Sequence, residues 1–191
     1  MSYYDSSKTE IITLPPVTLP ESVDWRERGA VNEIVDLGNN CNAGWAFAAI
    51  ASVEGFHQVQ TGQLFKLSEQ ECVDCDGKSN HCNGGGMENC LNFIKGNKVS
   101  LSSDYPYTGK GQNCNGNAKN KGVVALFQWF GLDKNSATMK NALTKGVIST
   151  KMCAGNQDFL NYKSGIYNNP KCCPSNWFQS VNIVGYGVED G

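Results

Sequence analysis

Nine cysteines and two histidines are the side chains of this 191-residue sequence suited to nucleophilic and proton-transfer chemistry. A thiolate beside an imidazole forms acyl-enzyme intermediates when a third group orients the imidazole and donors receive the oxyanion. The place to look for such a thiolate is the stretch from Asp36 to Phe47, where a turn-rich loop runs into an apolar segment ending near Phe56. Small residues at 43, 46, 48, 49 and 51 favour a helix that other backbone approaches closely, and Asn42 is its candidate N-cap. A helix N-terminus in a cleft offers free N–H groups and positive potential, which activate a thiolate. The first turn holds Ala43 and Gly44, however, with no Ser, Cys or Thr; Cys41 lies just ahead of it. The histidines are His57, inside the predicted helix, and His81, beside Cys82; both read as surface or packing residues rather than a base.

Elements must position these residues, and the chain supplies signals for them. Residues 1–20 are polar, then carry Pro15, Pro16 and Pro20 without periodicity, and read as a linker. The central helix is predicted over 43–60, ending near Gly62. Ser68 caps a short helix running to Cys75, with Glu71 completing a capping box. Gly84, Gly85 and Gly86 permit positive φ and close approach of another backbone, and alone fit a plain flexible turn as well as a binding edge. A helix follows at 87–96, then a Gly/Asn/Lys loop at 108–122, a strand at 123–130, a helix at 136–145 capped by Ser136, and strands at 147–150 and 181–187.

Composition narrows the classes of partner. A net charge of −2 gives no reason to expect nucleic acid or an anionic membrane, and no apolar run has the length of a span. The N-terminus has no basic segment followed by an apolar one, so it does not read as a signal peptide. Nine cysteines without metal-type spacing read as disulfides in an oxidising compartment, buried free thiols being the alternative; an odd count leaves at least one unpaired or paired outside this chain. No metal or cofactor site is expected.

The string DLG-NN-C-N-A-G-WAF at 36–47 resembles the active-site loop of the papain-like cysteine proteases, the papain and cathepsin family, whose pattern is DQG-x-C-G-x-CWAF. Further strings follow in family order: LPESVDWR at 19–26, LSEQECVDC at 67–75, CNGGGM at 82–87, YPY at 105–107, FLNYKSGIY at 159–167 and VGYG at 184–187. The resemblance covers about 19–191 and implies an α+β, two-lobed papain-like fold. A helical first lobe would span 21–125 and a β-rich second lobe 126–191, the latter without the family's last strands, and 1–20 would be a linker or pro-region remnant. The edge left by those strands would be covered by a partner chain or a further C-terminal segment.

The resemblance also assigns roles. Aligned from Trp45, Gly44 stands at the nucleophile and Leu37 at the oxyanion-hole glutamine. Counting without gaps from Gly165-Ile166-Tyr167 puts Gln179 at the base histidine. Glycine has no nucleophile, leucine no side-chain N–H, and glutamine does not exchange a proton near neutral pH, so no catalytic residue is expected and the chain reads as a non-enzyme: a binding or structural subunit with a protein or peptide partner. An active endopeptidase with an atypical nucleophile and a storage or defence protein stay open. A peptide groove would be lined by Gly84, Gly85, Gly86, Met87 and Ala154. Family bridges would join Cys41 to Cys82 and Cys75 to Cys114, with Cys172 as the first half of a third. Cys72, Cys90, Cys153 and Cys173 depart from the pattern, and Cys72 with Cys90, on neighbouring helices, could pair. The family's setting is extracellular or lysosome/vacuole-like.

Overall fold

The computed structural model describes residues 10–119, 121–126, 128–169 and 177–188. In chain order the elements are β1 Ile11–Ile12, β2 Val23–Asp24, α1 Gly44–Thr61, α2 Glu69–Cys75, a 3-10 turn His81–Asn83, α3 Met87–Gly96, α4 Gly116–Lys119, β3 Gly131–Leu132, α5 Ser136–Leu143, β4 Ile148–Cys153, α6 Gln157–Leu160, β5 Phe178–Ile183 and β6 Gly185–Tyr186. Helices dominate as far as residue 96 and the two six-residue strands follow residue 147, an α+β arrangement.

α1 is the axis of the molecule. Trp45, Ala46, Ala48, Ala49, Ile50 and Val53 are all buried, and α1 packs against α2 and α3 on one side and β4 and β5 on another. The small residues allow this two-sided approach. A Cβ on Gly55 would lie 2.7 Å from Val147 Cγ2 and 3.0 Å from Ala30 O, so this helical glycine allows the close approach of β4 and the first loop. Gly62, left-handed at φ 75°, ends the helix. On the α3 side the core is Leu67, Cys72, Val73, Cys90, Leu91, Phe93, Ile94 and Val99; a smaller cluster of Val23, Trp25, Ala30 and Val147 joins the first loop to the start of β4.

α2 is short but buried on all sides, and its polar side chains organise the loops. Asp74 accepts from the Tyr105 hydroxyl at 2.9 Å and from Gln112 N at 2.8 Å, and Gln70 Oε1 accepts from Thr108 N at 2.9 Å. Ser68 Oγ caps the helix by accepting from Glu71 N at 3.0 Å. Glu71 Oε2 accepts from Ser100 N at 2.7 Å, while Ser68 N donates to Ser100 O at 2.9 Å. The residues read as a local capping box thus clamp the segment at Ser100.

Other boundaries differ from the sequence reading. α1 begins at Gly44 with Ala43 at the cap position, so Asn42 stands one residue too early and no side chain caps the helix; the backbone N–H of Asn42 donates to Cys82 O at 2.9 Å. α5 is capped by Asn135, whose Oδ1 accepts from Ala137 N at 2.8 Å, rather than by Ser136. The strand expected at 123–130 reduces, among the described residues, to a bridge between Val99 and Val124, and regular pairing starts only at Gly131. Part of the expected linker is ordered: β1 pairs in parallel with β3, and Asn141 Nδ2 donates to Pro15 O at 2.6 Å. β4 and β5 are antiparallel with Met152 opposite Gln179, and β6 pairs with β2, closing the chain onto its own beginning.

Candidate active site

The N-terminus of α1 is held by two ties. Cys41 is bonded to Cys82, and the adjacent Asn42 N–H to Cys82 O hydrogen bond doubles that link. The loop before it is fixed by Tyr107, whose hydroxyl donates to Leu37 O at 3.1 Å and whose ring meets Phe47 edge-on at 4.9 Å. No acidic residue stands in the first turn of α1, so the positive end of the helix is not neutralised locally.

Two residues of the loop and helix start meet a third from β5 at this end. A side chain begun at Gly44 would run into Gln179 Nε2, with Gln179 Cδ at 3.5 Å and Leu37 Cδ1 at 3.9 Å. Gln179 reaches this point because β5 lies along α1; Asn182, three residues on, donates from Nδ2 to Ala48 O at 2.9 Å. The carboxamide of Gln179 therefore occupies the space that a side chain at residue 44 would fill.

A second feature lies beside it. Gly84 to Gly86 run from the 3-10 turn into α3. A Cβ on Gly85 would stand 2.5 Å from both Trp45 Cε2 and Ser79 Oγ, so this glycine lies flat against the indole of α1. Ser79 Oγ accepts in turn from Gly86 N at 3.4 Å and Asn89 Nδ2 at 3.2 Å. Gly84, at φ 114°, has nothing within 4 Å on its Cβ side. Among the described residues no hydrogen bond takes up the N–H or the carbonyl of Gly85. Met87 and Ala154 are both buried.

The remaining candidates lie elsewhere. His57 stacks on Phe65 at 5.0 Å, 13 residues along α1 from Gly44 or about 20 Å at helical rise. His81 holds its Nδ1 2.9 Å from Val73 O and lines, with Asn83, Gly111, Gln112 and Asn113, an open polar depression of about 490 Å³ behind the Cys82 disulfide. Cys75 is bonded to Cys114 and Cys72 to Cys90; Cys153 is also disulfide-bonded, while Cys172 and Cys173 lie outside the described residues. Three bonds between helices and loops fit an oxidising compartment. No described helix is long and apolar enough to cross a membrane, and the described residues contain no His/Cys/Asp/Glu group able to hold a metal.

Comparison with known proteins places this geometry. The family profile described as papain family cysteine protease matches residues 19–191. Germination-specific cysteine protease 1 of Arabidopsis thaliana is 42% identical over 176 residues, 91% of this chain and 46% of its own length. Cathepsin L of Sarcophaga peregrina is 38% identical over 93% of this chain and 54% of its own, and papaya proteinase 4 of Carica papaya 37% over 95% and 52%. The chain thus spans about half the length of the curated relatives it matches. The crystal structure of the Carica candamarcensis cysteine protease CMS1MS2 in complex with E-64 superposes with a TM-score of 0.78 at 31% identity, over 88% of this chain and 78% of that one.

These relatives overturn the expectation of a non-enzyme. Proteins 37–42% identical across nine-tenths of this chain are named as cysteine proteases, and the family points to an enzyme. The residues at 44, 179 and 37 define which side chains stand at one end of α1; they do not by themselves exclude an attacking group from another position. Nor do these comparisons support reading the chain as a structural subunit. The chain belongs to the papain family of cysteine proteases, with the α+β fold of that family.

Proposed function

We propose that this chain binds polypeptide in extended form along Gly84–Gly86 and acts as an endopeptidase whose attacking group is neither the side chain of residue 44 nor any of the seven described cysteines, all of which are disulfide-bonded. The observation that carries the reading is Gly85, whose backbone donor and acceptor are unclaimed among the described residues while its flank is pressed onto Trp45 and Ser79. A rigid edge with open backbone groups is what an incoming strand pairs with, main-chain bonds giving affinity and pockets between alternate side chains giving choice. Met87 and Ala154 would form the apolar wall beside that strand. The un-neutralised N-terminus of α1 would face the scissile carbonyl and favour the negative charge that develops on its oxygen. Peptide hydrolysis is the reaction class named for the relatives.

The test uses quenched-fluorescence peptide libraries for turnover and labelled peptides for binding. Bound peptides should lose roughly tenfold or more in affinity when one backbone nitrogen, that facing Gly85, is methylated, since an unmade bond leaves a buried donor or acceptor stranded. Cleavage should be accompanied by a covalent adduct with an electrophilic peptide probe, whose mass-spectrometric position names the attacking residue. Failure of all peptides to bind would overturn the reading. Tight binding with neither cleavage nor adduct would remove the hydrolytic part of it.

A further inference from the structure

We propose that Glu88 makes this groove select a cationic side chain, Lys or Arg, in the bound polypeptide; the inference rests on the peptide-binding reading above. Gly85 faces Trp45 and Ser79, whereas the Cβ side of Gly84 has nothing within 4 Å and that of Gly86 meets neither of those residues first. Gly86 is extended, at φ −114° and ψ 134°. Its missing side chain is replaced by the carboxylate of Glu88: a Cβ on Gly86 would stand 2.7 Å from Glu88 Oε1, 2.9 Å from Cδ and 3.3 Å from Oε2. Glu88, in the first turn of α3, folds back so that its charge lies over the glycine edge rather than over the helix flank.

The charge is placed for recognition. Glu88 is half-buried, and among the described residues no lysine, arginine or histidine forms an ion pair with it, whereas Glu54 and Glu69 share Lys66. An acid in a first helical turn also suits the positive end of that helix. That role requires only a position near the N-terminus of α3; it does not require the carboxylate to cover Gly86. A strand paired with Gly85 projects alternate side chains over its neighbours, and the one passing Gly86 meets the Glu88 carboxylate. A lysine or arginine there places its charged head on Glu88. A glutamate there meets like charge.

The experiment measures binding of fluorescein-labelled, alanine-based heptapeptides carrying Lys, Gln or Glu at each position in turn, to the wild-type chain, Glu88→Gln and Glu88→Lys. At one position the wild type should favour Lys over Glu by about tenfold at low ionic strength, falling as salt is added. The ratio should collapse to near one in Glu88→Gln and invert in Glu88→Lys. Peptides that bind with no charge preference, or a lysine preference unchanged in Glu88→Gln, would overturn the inference and leave the peptide-binding reading standing. A loss of stability in Glu88→Gln with the preference intact would assign Glu88 to the helix end alone and also overturn it. Absence of binding by every peptide would overturn both.

Discussion

Two glycines of the site make opposite predictions for the same substitution. In Gly85→Ala the new methyl would lie 2.5 Å from Trp45 Cε2 and Ser79 Oγ, about 1 Å inside ordinary contact. Neither neighbour yields easily: Trp45 is 3% exposed in the main core, and Ser79 Oγ is held by Gly86 N and Asn89 Nδ2. Overpacking of this kind costs about 1–3 kcal/mol. Displacing Ser79 adds about 0.5–1.5 kcal/mol for its hydrogen bonds, so the loss should be roughly 2–4 kcal/mol. In Gly44→Ala the methyl also collides, but with Nε2 at the far end of the Gln179 side chain. Pushing that side chain off its rotamer costs about 0.5–1.5 kcal/mol. Replacing glycine returns up to about 0.5–1 kcal/mol, the value for a helix interior, and less at this first position of α1, leaving a net effect within about 1 kcal/mol of zero. Urea unfolding of both variants with disulfides intact measures the two values, and for a chain of this size each kcal/mol moves Tm by about 2–4 °C. The double variant Gly44→Ala, Gln179→Ala should be no less stable than Gln179→Ala alone. Equal losses in the two single variants, or a neutral Gly85→Ala, would refute the reasoning that a rigid indole lies beneath one glycine and a mobile amide beside the other.

Replacing Cys72 and Cys90 together by alanine removes a buried cross-link of 18 residues and should cost roughly 3 kcal/mol in the chain-entropy model, read as a lowered urea midpoint with the remaining disulfides kept oxidised. Glu54 has its pKa raised above the ordinary 4.5, chiefly by burial, against the opposing pull of Lys66. The folded state therefore holds this proton more tightly than the unfolded chain, and its contribution to stability falls as pH rises above about 4.5 until the folded carboxyl has ionised. Glu54→Gln, which can still accept from Leu67 N, should gain on the wild type across that window, and parallel curves would contradict the assignment. Asn141→Ala removes the bond to Pro15 O and should loosen the β1 segment, seen as faster limited proteolysis before residue 19 and a global loss of about 1 kcal/mol.

What the order of residues determined by itself is the class of fold and the identity of the side chains at the centre. Strings such as LPESVDWR, LSEQECVDC and VGYG are local, and their order along one chain was enough to indicate an α+β papain-like architecture. That Gly44 offers no side chain is a property of glycine, legible without coordinates. Caps and short strands were less legible because their competitors are remote: Glu71 is taken by Ser100, and β1 finds a partner 120 residues away in β3. The non-enzyme reading failed for a related reason, since it inferred a whole-protein property from three positions that relatives across nine-tenths of the chain outweigh. Only the tertiary structure decided that Gln179 fills the space over Gly44, that Trp45 lies beneath Gly85, and that Glu88 folds back over Gly86. These are contacts through space. Period and propensity describe neighbours along the chain, and they carry no term for which side chain enters the volume a glycine leaves empty.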